Sequence, residues 1–252
     1  MFTTLLFLFN VVVGYLVGSI CSAVIVCRLF NLPDPRLEGS KNPGATNVLR
    51  LAGKQYAAIV LLADILKGLL PVLLAQLLNA GPIIVGFTCF AAVLGHMYPI
   101  FFDFKGGKGV ATAMGALLGF HFLLGVAVIA TWLVIANFSR HSSLASIVSM
   151  IFAPFYSIFA VHSIVAFPPL MCIALFILYQ HRDNITRLID GNEPKINFHQ
   201  RVHHKEPIKK APVKKSQPTP VEPELKPKKT ASKAAPKKKP VKAKKSTPKK
   251  PV

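Results

Sequence analysis

An otherwise apolar part of this 252-residue chain is interrupted by a short run of glycines and lysines at residues 105–109. Glycines let backbone N–H groups come close to an anion, and Lys108 adds a fixed positive charge. Because a predicted helix begins at Val110, the run would also present the unpaired N–H groups of a helix N-terminus. Gly109 stands where a nucleotide-binding P-loop needs Ser or Thr, which argues against ATP. The run predicts a phosphate-binding loop, and a flexible turn is the alternative. Its anion-binding residues would be Gly106, Gly107, Lys108 and Gly109.

A second polar segment, residues 38–50, is also broken by Gly and Pro. Ser40 and Asn47 supply hydrogen-bonding groups there. Arg50 follows Asn47 by one helical turn and could offer a guanidinium fork to a phosphate. An ordinary polar loop, with Asn47 as a helix cap, explains the same residues equally well. Taken alone, this segment leaves both interpretations open.

A third polar segment, residues 181–193, follows the last apolar region. His181, Asn184 and Arg187 are spaced three residues apart, so a helix would place them on one face. An imidazole, an amide and a guanidinium beside the bilayer can hold an anion and polarise a carbonyl. A basic helix next to the membrane is the alternative. We expect no metal, because His181 has no second ligand at a fitting spacing, and no cofactor.

The elements that must position these segments are apolar. Hydrophobic residues make up 52% of the chain, and a membrane-spanning helix needs roughly 20 of them in a row. Five regions qualify: 2–27, 56–78, 82–102, 110–137 and 143–179. They predict an all-α, polytopic transmembrane helix bundle. The fifth region, about 37 residues long, contains Pro154, Pro168 and Pro169 and is predicted to be broken, with an odd number of crossings. Within the second region, Asp64 and Lys67 are expected to form a structural ion pair.

Charge predicts how the bundle is oriented. Lys and Arg cluster between regions one and two, after region three and after residue 179, whereas Arg140 is the only one expected on the other side. The positive-inside rule then places the N-terminus outside, the C-terminus inside and all three polar segments in the cytoplasm.

The end of the chain has a different composition. Residues 199–252 are rich in Lys, Pro and Ala and carry much of the net charge of +20. This composition predicts a disordered tail after a membrane domain of residues 1–198. The tail could be merely solvated, or could contact anionic lipid or nucleic acid.

Taken together, the three segments resemble the acyl-phosphate:glycerol-3-phosphate acyltransferase family of the bacterial inner membrane. The resemblance rests on four stretches of sequence: 39–50, 64–68, 95–112 and 181–193. It implies a compact bundle of seven short helices with a cytoplasmic active site. It also implies transfer of a fatty acyl group from acyl phosphate to the sn-1 hydroxyl of glycerol 3-phosphate, giving lysophosphatidic acid and phosphate. The synthase that makes acyl phosphate would be a possible partner.

The resemblance also implies roles for residues. Ser40, Arg50 and Lys108 would bind the glycerol 3-phosphate phosphate group, with Asn47 beside them, and the three glycines would shape the loop. His181 and Asn184 would contact the donor phosphate and the reacting hydroxyl, and Glu193 would be structural. A small organophosphate transporter is the main alternative function. A membrane tether that binds nucleic acid through its tail is a third.

Overall fold

The computed structural model describes residues 1–162 and 164–196, which form helices and no strand. The all-α prediction is confirmed, and the predicted tail, 199–252, lies outside the described residues. The helices are α1 (Phe2–Gly18), α2 (Ser22–Leu29), α3 (Ala45–Ala52), α4 (Lys54–Leu77), α5 (Pro82–Met97), α6 (Val110–Phe120), α7 (Phe122–Ser139), α8 (Ser142–Val161), α9 (Phe167–Gln180) and α10 (Arg182–Ile189). Short 3-10 turns lie at Ile100–Phe102 and Ile164–Ala166.

Five helical stretches in the described part are long and apolar enough to cross a bilayer. They are α1 with α2, α4, α5 with its 3-10 turn, α7 and α8. Helix α9 is shorter and meets α10 at a bend of 59°. Helix α6 is an apolar helix of 11 residues. The protein is therefore a multi-pass membrane protein.

The prediction of a single span over 110–137 is wrong. His121 takes an extended conformation (φ −157°, ψ 120°) and separates α6 from α7. The Gln76 side chain donates a hydrogen bond to the carbonyl of Phe120 (2.8 Å), which satisfies an acceptor that the end of α6 leaves open. Helix α7 then turns back and packs against α6 at Gly125, where a side chain would collide with Leu118.

The fifth apolar region contains two helices, so the expected odd number of crossings fails if both α8 and α9 cross the bilayer. Pro154 lies inside α8 without ending it, as membrane helices tolerate when neighbouring groups satisfy the freed carbonyl. The break includes His162 and the 3-10 turn at Ile164–Ala166 instead, and α9 has a proline in its first turn, where the missing N–H costs nothing.

The helix directions define two ends of the bundle. Helices α1 and α5 run in the same direction, since Gly14 packs against Thr88 and the Tyr15 hydroxyl donates to the carbonyl of Tyr98 (2.8 Å). Both lead toward the loop at 105–109, which is tied to the end of α5 by a hydrogen bond from the Gly107 N–H to the His96 carbonyl (3.1 Å). We call this the site end, and the opposite one the far end. Helices α4 and α6 lead away from the site end.

The expected position of Arg140 needs correction as well. The N–H of Ile196 donates to the carbonyl of Arg140 (2.6 Å), and Ile196 follows the third polar segment directly. The connection between α7 and α8 therefore lies at the site end, because the reversal at His121 adds a helix that the sequence did not reveal. The described far-end connections, residues 79–81, 121, 162 and 164–166, contain no Lys or Arg.

Candidate active site

The phosphate-loop candidate, residues 105–109, is pressed against the end of α5. A side chain at Gly106 would collide with the carbonyl of Met97 (2.6 Å). One at Gly107 would collide with the imidazole of His96 and lie 3.1 Å from the carbonyl of Pro43. Gly109 has φ +82°, which favours glycine. The glycines therefore have a packing reason in addition to any contact with a ligand.

The same loop presents free backbone donors. Within the described residues, the N–H groups of Lys108, Gly109, Val110 and Ala111 have no acceptor, and the first closing bond of α6 runs from Ala113 to Gly109 (2.8 Å). Consecutive free N–H groups at the start of an 11-residue helix attract an anion.

The segment 38–50 is shaped by Asn47, which is only 1% exposed. Its side-chain oxygen accepts the Ser40 N–H (2.9 Å), and its amide donates to the carbonyls of Pro35 (2.9 Å) and Glu38 (3.0 Å). Because these bonds occupy both ends of the amide, Asn47 holds the loop that carries Ser40. The Ser40 side chain is exposed at the surface of this loop.

The third segment meets the loop at 105–109 through Lys108, whose ammonium group donates to the side-chain oxygen of Asn184. Asn184 donates to one oxygen of Glu193 (2.6 Å), and Arg187 donates to the other (2.7 Å). Asn184 and Arg187 thus share a face of α10, as the spacing predicts. Burial would raise the pKa of the Glu193 carboxyl, but the nearby Ser143 hydroxyl and the donors Asn184 and Arg187 hold that pKa below its ordinary value.

His181 is buried (3% exposed) at the bend between α9 and α10. Its Nδ1 lies 2.8 Å from the carbonyl of Ile177, and since a carbonyl can only accept, Nδ1 carries the ring hydrogen. Burial, helped by the nearby charge of Lys108, lowers the pKa of His181 to about 4. At neutral pH the ring is uncharged, and Nε2 is a hydrogen-bond acceptor.

Positive charge exceeds negative charge around Lys108. Arg187 is neutralised by Glu193, but Lys108 meets only an uncharged amide. Among the described residues Arg50, whose charge acts on Lys108, has no ion-pair or hydrogen-bond partner. Burial is the largest effect on Lys108 and lowers its pKa to about 8. Two cations that are not bonded to a carboxylate, beside free N–H groups, make a site for an anion.

An apolar groove lies at the same end of the bundle. It runs between α5 and α9 and is lined by Tyr98, Leu175, Phe176 and Tyr179. Tyr179 is two residues before His181, and Tyr98 is two residues after His96. The groove therefore offers room for a hydrocarbon chain at the site end of the bundle.

The predicted pair in α4 is buried beneath the site. Asp64 and Lys67 form an ion pair (2.9 Å), and Lys67 also donates to the carbonyl of Ile20 (2.7 Å). His96 lies 3.6 Å from the same Asp64 oxygen.

Sequence reasoning did not single out Ser143 or assign a role to His96. The Ser143 hydroxyl is buried and lacks a hydrogen bond of full geometry in the described structure, although it is close enough to Glu193 to lower its pKa. Both residues lie in or next to apolar runs, where Ser and His usually have a structural role. Only the folded arrangement brings them to the site.

Comparison with known proteins agrees with this geometry. Residues 8–191 match the family model described as glycerol-3-phosphate acyltransferase. A glycerol-3-phosphate acyltransferase of Legionella pneumophila (strain Corby) is 66% identical over 193 residues, which cover 77% of this chain and 70% of that protein. The enzyme of the same name from Colwellia psychrerythraea is 53% identical over 76% of this chain and 97% of its own length.

Solved structures give the same answer. The crystal structure of the integral membrane glycerol 3-phosphate acyltransferase PlsY in its glycerol 3-phosphate form is 40% identical, with a TM-score of 0.72, and covers 76% of this chain and 96% of that one. The lysophosphatidic acid form of PlsY has a TM-score of 0.70 at 39% identity over 76% of this chain and 96% of that one. The fold, the converging segments and these similarities lead to one conclusion: the chain belongs to the glycerol-3-phosphate acyltransferase family.

Proposed function

We propose that this protein transfers a fatty acyl group from acyl phosphate to the sn-1 hydroxyl of glycerol 3-phosphate. The hydroxyl oxygen forms a bond to the acyl carbon, and the bond from that carbon to the phosphate oxygen breaks. Phosphate leaves with the electron pair, and the product is lysophosphatidic acid. Because acyl phosphate carries its own leaving group, no covalent enzyme intermediate is needed, and positioning and charge stabilisation provide the catalysis.

The observation that carries this proposal is the meeting of an anion site and an apolar groove at one end of a membrane bundle. Lys108, Arg50 and the free N–H groups of the loop supply charge and donors for the phosphate of glycerol 3-phosphate. The groove beside Tyr98 and Tyr179 suits the acyl chain of the donor. One substrate is a small dianion and the other an amphiphile, so the reaction needs both features.

The residue roles in this proposal are those that the resemblance to the family implies. Ser40 joins Arg50 and Lys108 at the glycerol 3-phosphate phosphate, while Asn47 acts indirectly by holding the Ser40 loop. His181 and Asn184 contact the donor phosphate and the reacting hydroxyl. Either Nε2 of His181 or an oxygen of the donor phosphate takes the hydroxyl proton. A pKa of about 4 makes free His181 a weak base, and two bound anions would strengthen it.

Glu193 has a structural role in the proposal, because its carboxylate fixes Asn184 and Arg187. The pair Asp64 and Lys67 is structural as well and lies inside the bundle.

In the experiment, acyl phosphate and labelled glycerol 3-phosphate are added to membranes that contain the protein. We expect labelled lysophosphatidic acid from the wild type and a large loss of turnover in His181→Ala. Lys108→Ala should raise KM for glycerol 3-phosphate. Lys105→Ala is the matched control, because Lys105 is exposed in the same loop and makes no side-chain hydrogen bond or ion pair among the described residues. Labelled substrate that accumulates in sealed vesicles without acylation would favour a transporter.

The membrane orientation is also part of the proposal. The site end carries the Lys and Arg residues of the described connections, which supports a cytoplasmic site in a bacterial inner membrane. If α6 and α9 each cross the bilayer, the chain crosses seven times, with the N-terminus outside. A thiol reagent that cannot cross membranes should label a cysteine placed at Lys105 only from the cytoplasmic side.

The tail and the partner remain accessory in this proposal. Residues 199–252 would contact anionic lipid or nucleic acid through charge, and the acyl-phosphate-producing synthase would deliver the donor. Removal of residues 205–252 should leave acyl transfer intact, and a loss of activity would contradict the accessory role.

A further inference from the structure

A line of buried polar groups connects the middle of the bundle to the phosphate loop. It starts at the carbonyl of Ile20, in the break between α1 and α2, which accepts a hydrogen bond from Lys67 (2.7 Å). Lys67 pairs with Asp64 (2.9 Å), and both side chains are almost fully buried. An ion pair inside a membrane bundle is costly to bury, so a structural pair kept there is expected to hold a particular part of the protein in place.

His96 extends this line to the loop. Its Nδ1 lies 3.6 Å from an Asp64 oxygen and 3.0 Å from the hydroxyl of Thr112, in the first turn of α6. The opposite edge of the ring, at Nε2, is the nearest atom to the position that a side chain at Gly107 would occupy. The carbonyl of His96 accepts the Gly107 N–H (3.1 Å).

His96 therefore contacts the loop twice, once through its ring and once through its backbone. Rotation of the ring would open space under Gly107 and release Thr112. The same edge of the ring lies 3.6 Å from an Asp64 oxygen, and Asp64 is held by Lys67. None of these groups belongs to the hydrogen-bonded cluster that Lys108, Asn184 and Glu193 form.

We propose that Lys67, Asp64 and His96 form a positioning network that holds the Gly106–Gly107 loop in the shape that binds phosphate. The inference rests on the proposed function, in which this loop binds the phosphate of glycerol 3-phosphate. The network touches neither substrate, so it acts on the affinity for glycerol 3-phosphate and not on the chemical step. A loop that binds the ground state and the transition state equally affects KM and leaves kcat nearly unchanged.

The test measures kcat and both KM values for His96→Gln, Thr112→Val and Thr112→Ser. His96→Gln should raise KM for glycerol 3-phosphate by roughly tenfold or more, with kcat and KM for acyl phosphate changed by less than about threefold. Thr112→Val removes the hydroxyl at constant shape and should raise the same KM by roughly threefold to tenfold. Thr112→Ser keeps the hydroxyl and should restore a KM near the wild-type value.

Thr88→Val is the matched control. Thr88 is buried on α5 like His96, but its hydroxyl donates only to the carbonyl of Ile84 in its own helix (2.8 Å). Its KM values should equal those of the wild type. If His96→Gln does not fold, as judged by thermal unfolding in detergent, the comparison of Thr112→Val with Thr112→Ser still tests the proposal.

An unchanged KM for glycerol 3-phosphate in Thr112→Val, or an equal fall in kcat for all variants, would overturn the network. A rise in KM that Thr112→Ser shares with Thr112→Val would do the same. If the wild type makes no lysophosphatidic acid at all, the proposed function fails instead, which separates the two claims.

Discussion

Lys108 should make substrate binding depend on pH in an unusual range. Burial lowers its pKa to about 8, an effect that Glu193 and Asp183 oppose and that the charges of Arg187 and Arg50 reinforce. If the charged form binds the phosphate of glycerol 3-phosphate, Lys108 is about 90% charged at pH 7 and about 10% charged at pH 9. KM for glycerol 3-phosphate should then rise roughly tenfold between these two pH values.

The assay is initial-rate acyl transfer at saturating acyl phosphate, with glycerol 3-phosphate varied at each pH. Lys108→Arg keeps a charge that is not lost below pH 12, so its KM, whatever its size, should stay flat over the range. Lys108→Met has no charge and should show a high, equally flat KM. His181 does not titrate in this range, because its pKa is about 4.

A wild-type KM that stays constant between pH 7 and pH 9 would refute the reasoning that Lys108 is desolvated and binds in its charged form. A tenfold rise that Lys108→Arg shows equally would assign the titration to another group.

Three further predictions concern the loops and the bend. Asn47→Ala should lower the free energy of unfolding by about 1–3 kcal/mol, because the Ser40 N–H and two carbonyls lose their partner. Thermal unfolding in detergent measures this change. An unchanged melting temperature would argue against the role of Asn47 in holding the loop. Gly107→Ala should strongly impair glycerol 3-phosphate binding, since the new methyl group meets the His96 ring, whereas Gly81→Ala meets nothing within 4 Å and should behave like the wild type in the same kinetic assay. His181 binds a proton more readily in the unfolded chain, where its pKa is about 6.5, than in the fold, where it is about 4. The free energy of unfolding should therefore fall as the pH drops from about 6.5 to about 4. Melting temperatures measured over this pH range should fall less in His181→Gln than in the wild type. An identical fall in both proteins would show that His181 does not cause it.

The sequence was sufficient for the class of fold and for the polar segments. Long apolar runs and the clustering of Lys and Arg are one-dimensional signals, so the membrane bundle could be recognised from them. The glycines at 106, 107 and 109 and the spacing of His181, Asn184 and Arg187 are local patterns. For that reason the loop and the shared face of α10 appear where the sequence predicts them.

The break between α6 and α7 could not be predicted, because no Pro marks it and the nearby glycines, Gly119 and Gly125, lie inside the helices. His121 is the only polar residue near it, and its effect depends on Gln76, which reaches across from α4 to the end of α6. Conversely, Pro154 gave a break signal that the surrounding helices override. Both errors arise because contacts between helices decide where a membrane helix ends.

Partners in space were also invisible in the sequence. Nothing in the spacing of 67, 96 and 107 shows that His96 lies between a buried ion pair and the phosphate loop. Asn47 was expected to contact substrate, yet its amide is already occupied by the backbone of its own loop. Hydrogen-bond partners distant in sequence become apparent only when the helices are packed.

The central claim is acyl transfer from acyl phosphate at the site end. Purified protein in bilayer discs should be given labelled glycerol 3-phosphate with either acyl phosphate or the matching acyl-CoA, and lysophosphatidic acid and released phosphate should be measured together. With acyl phosphate, we predict equal amounts of both products from the wild type. We predict no lysophosphatidic acid above background when the wild type is given acyl-CoA, or when His181→Ala is given acyl phosphate. Lysophosphatidic acid formed equally well from acyl-CoA, or formed at the wild-type rate by His181→Ala, would contradict the account.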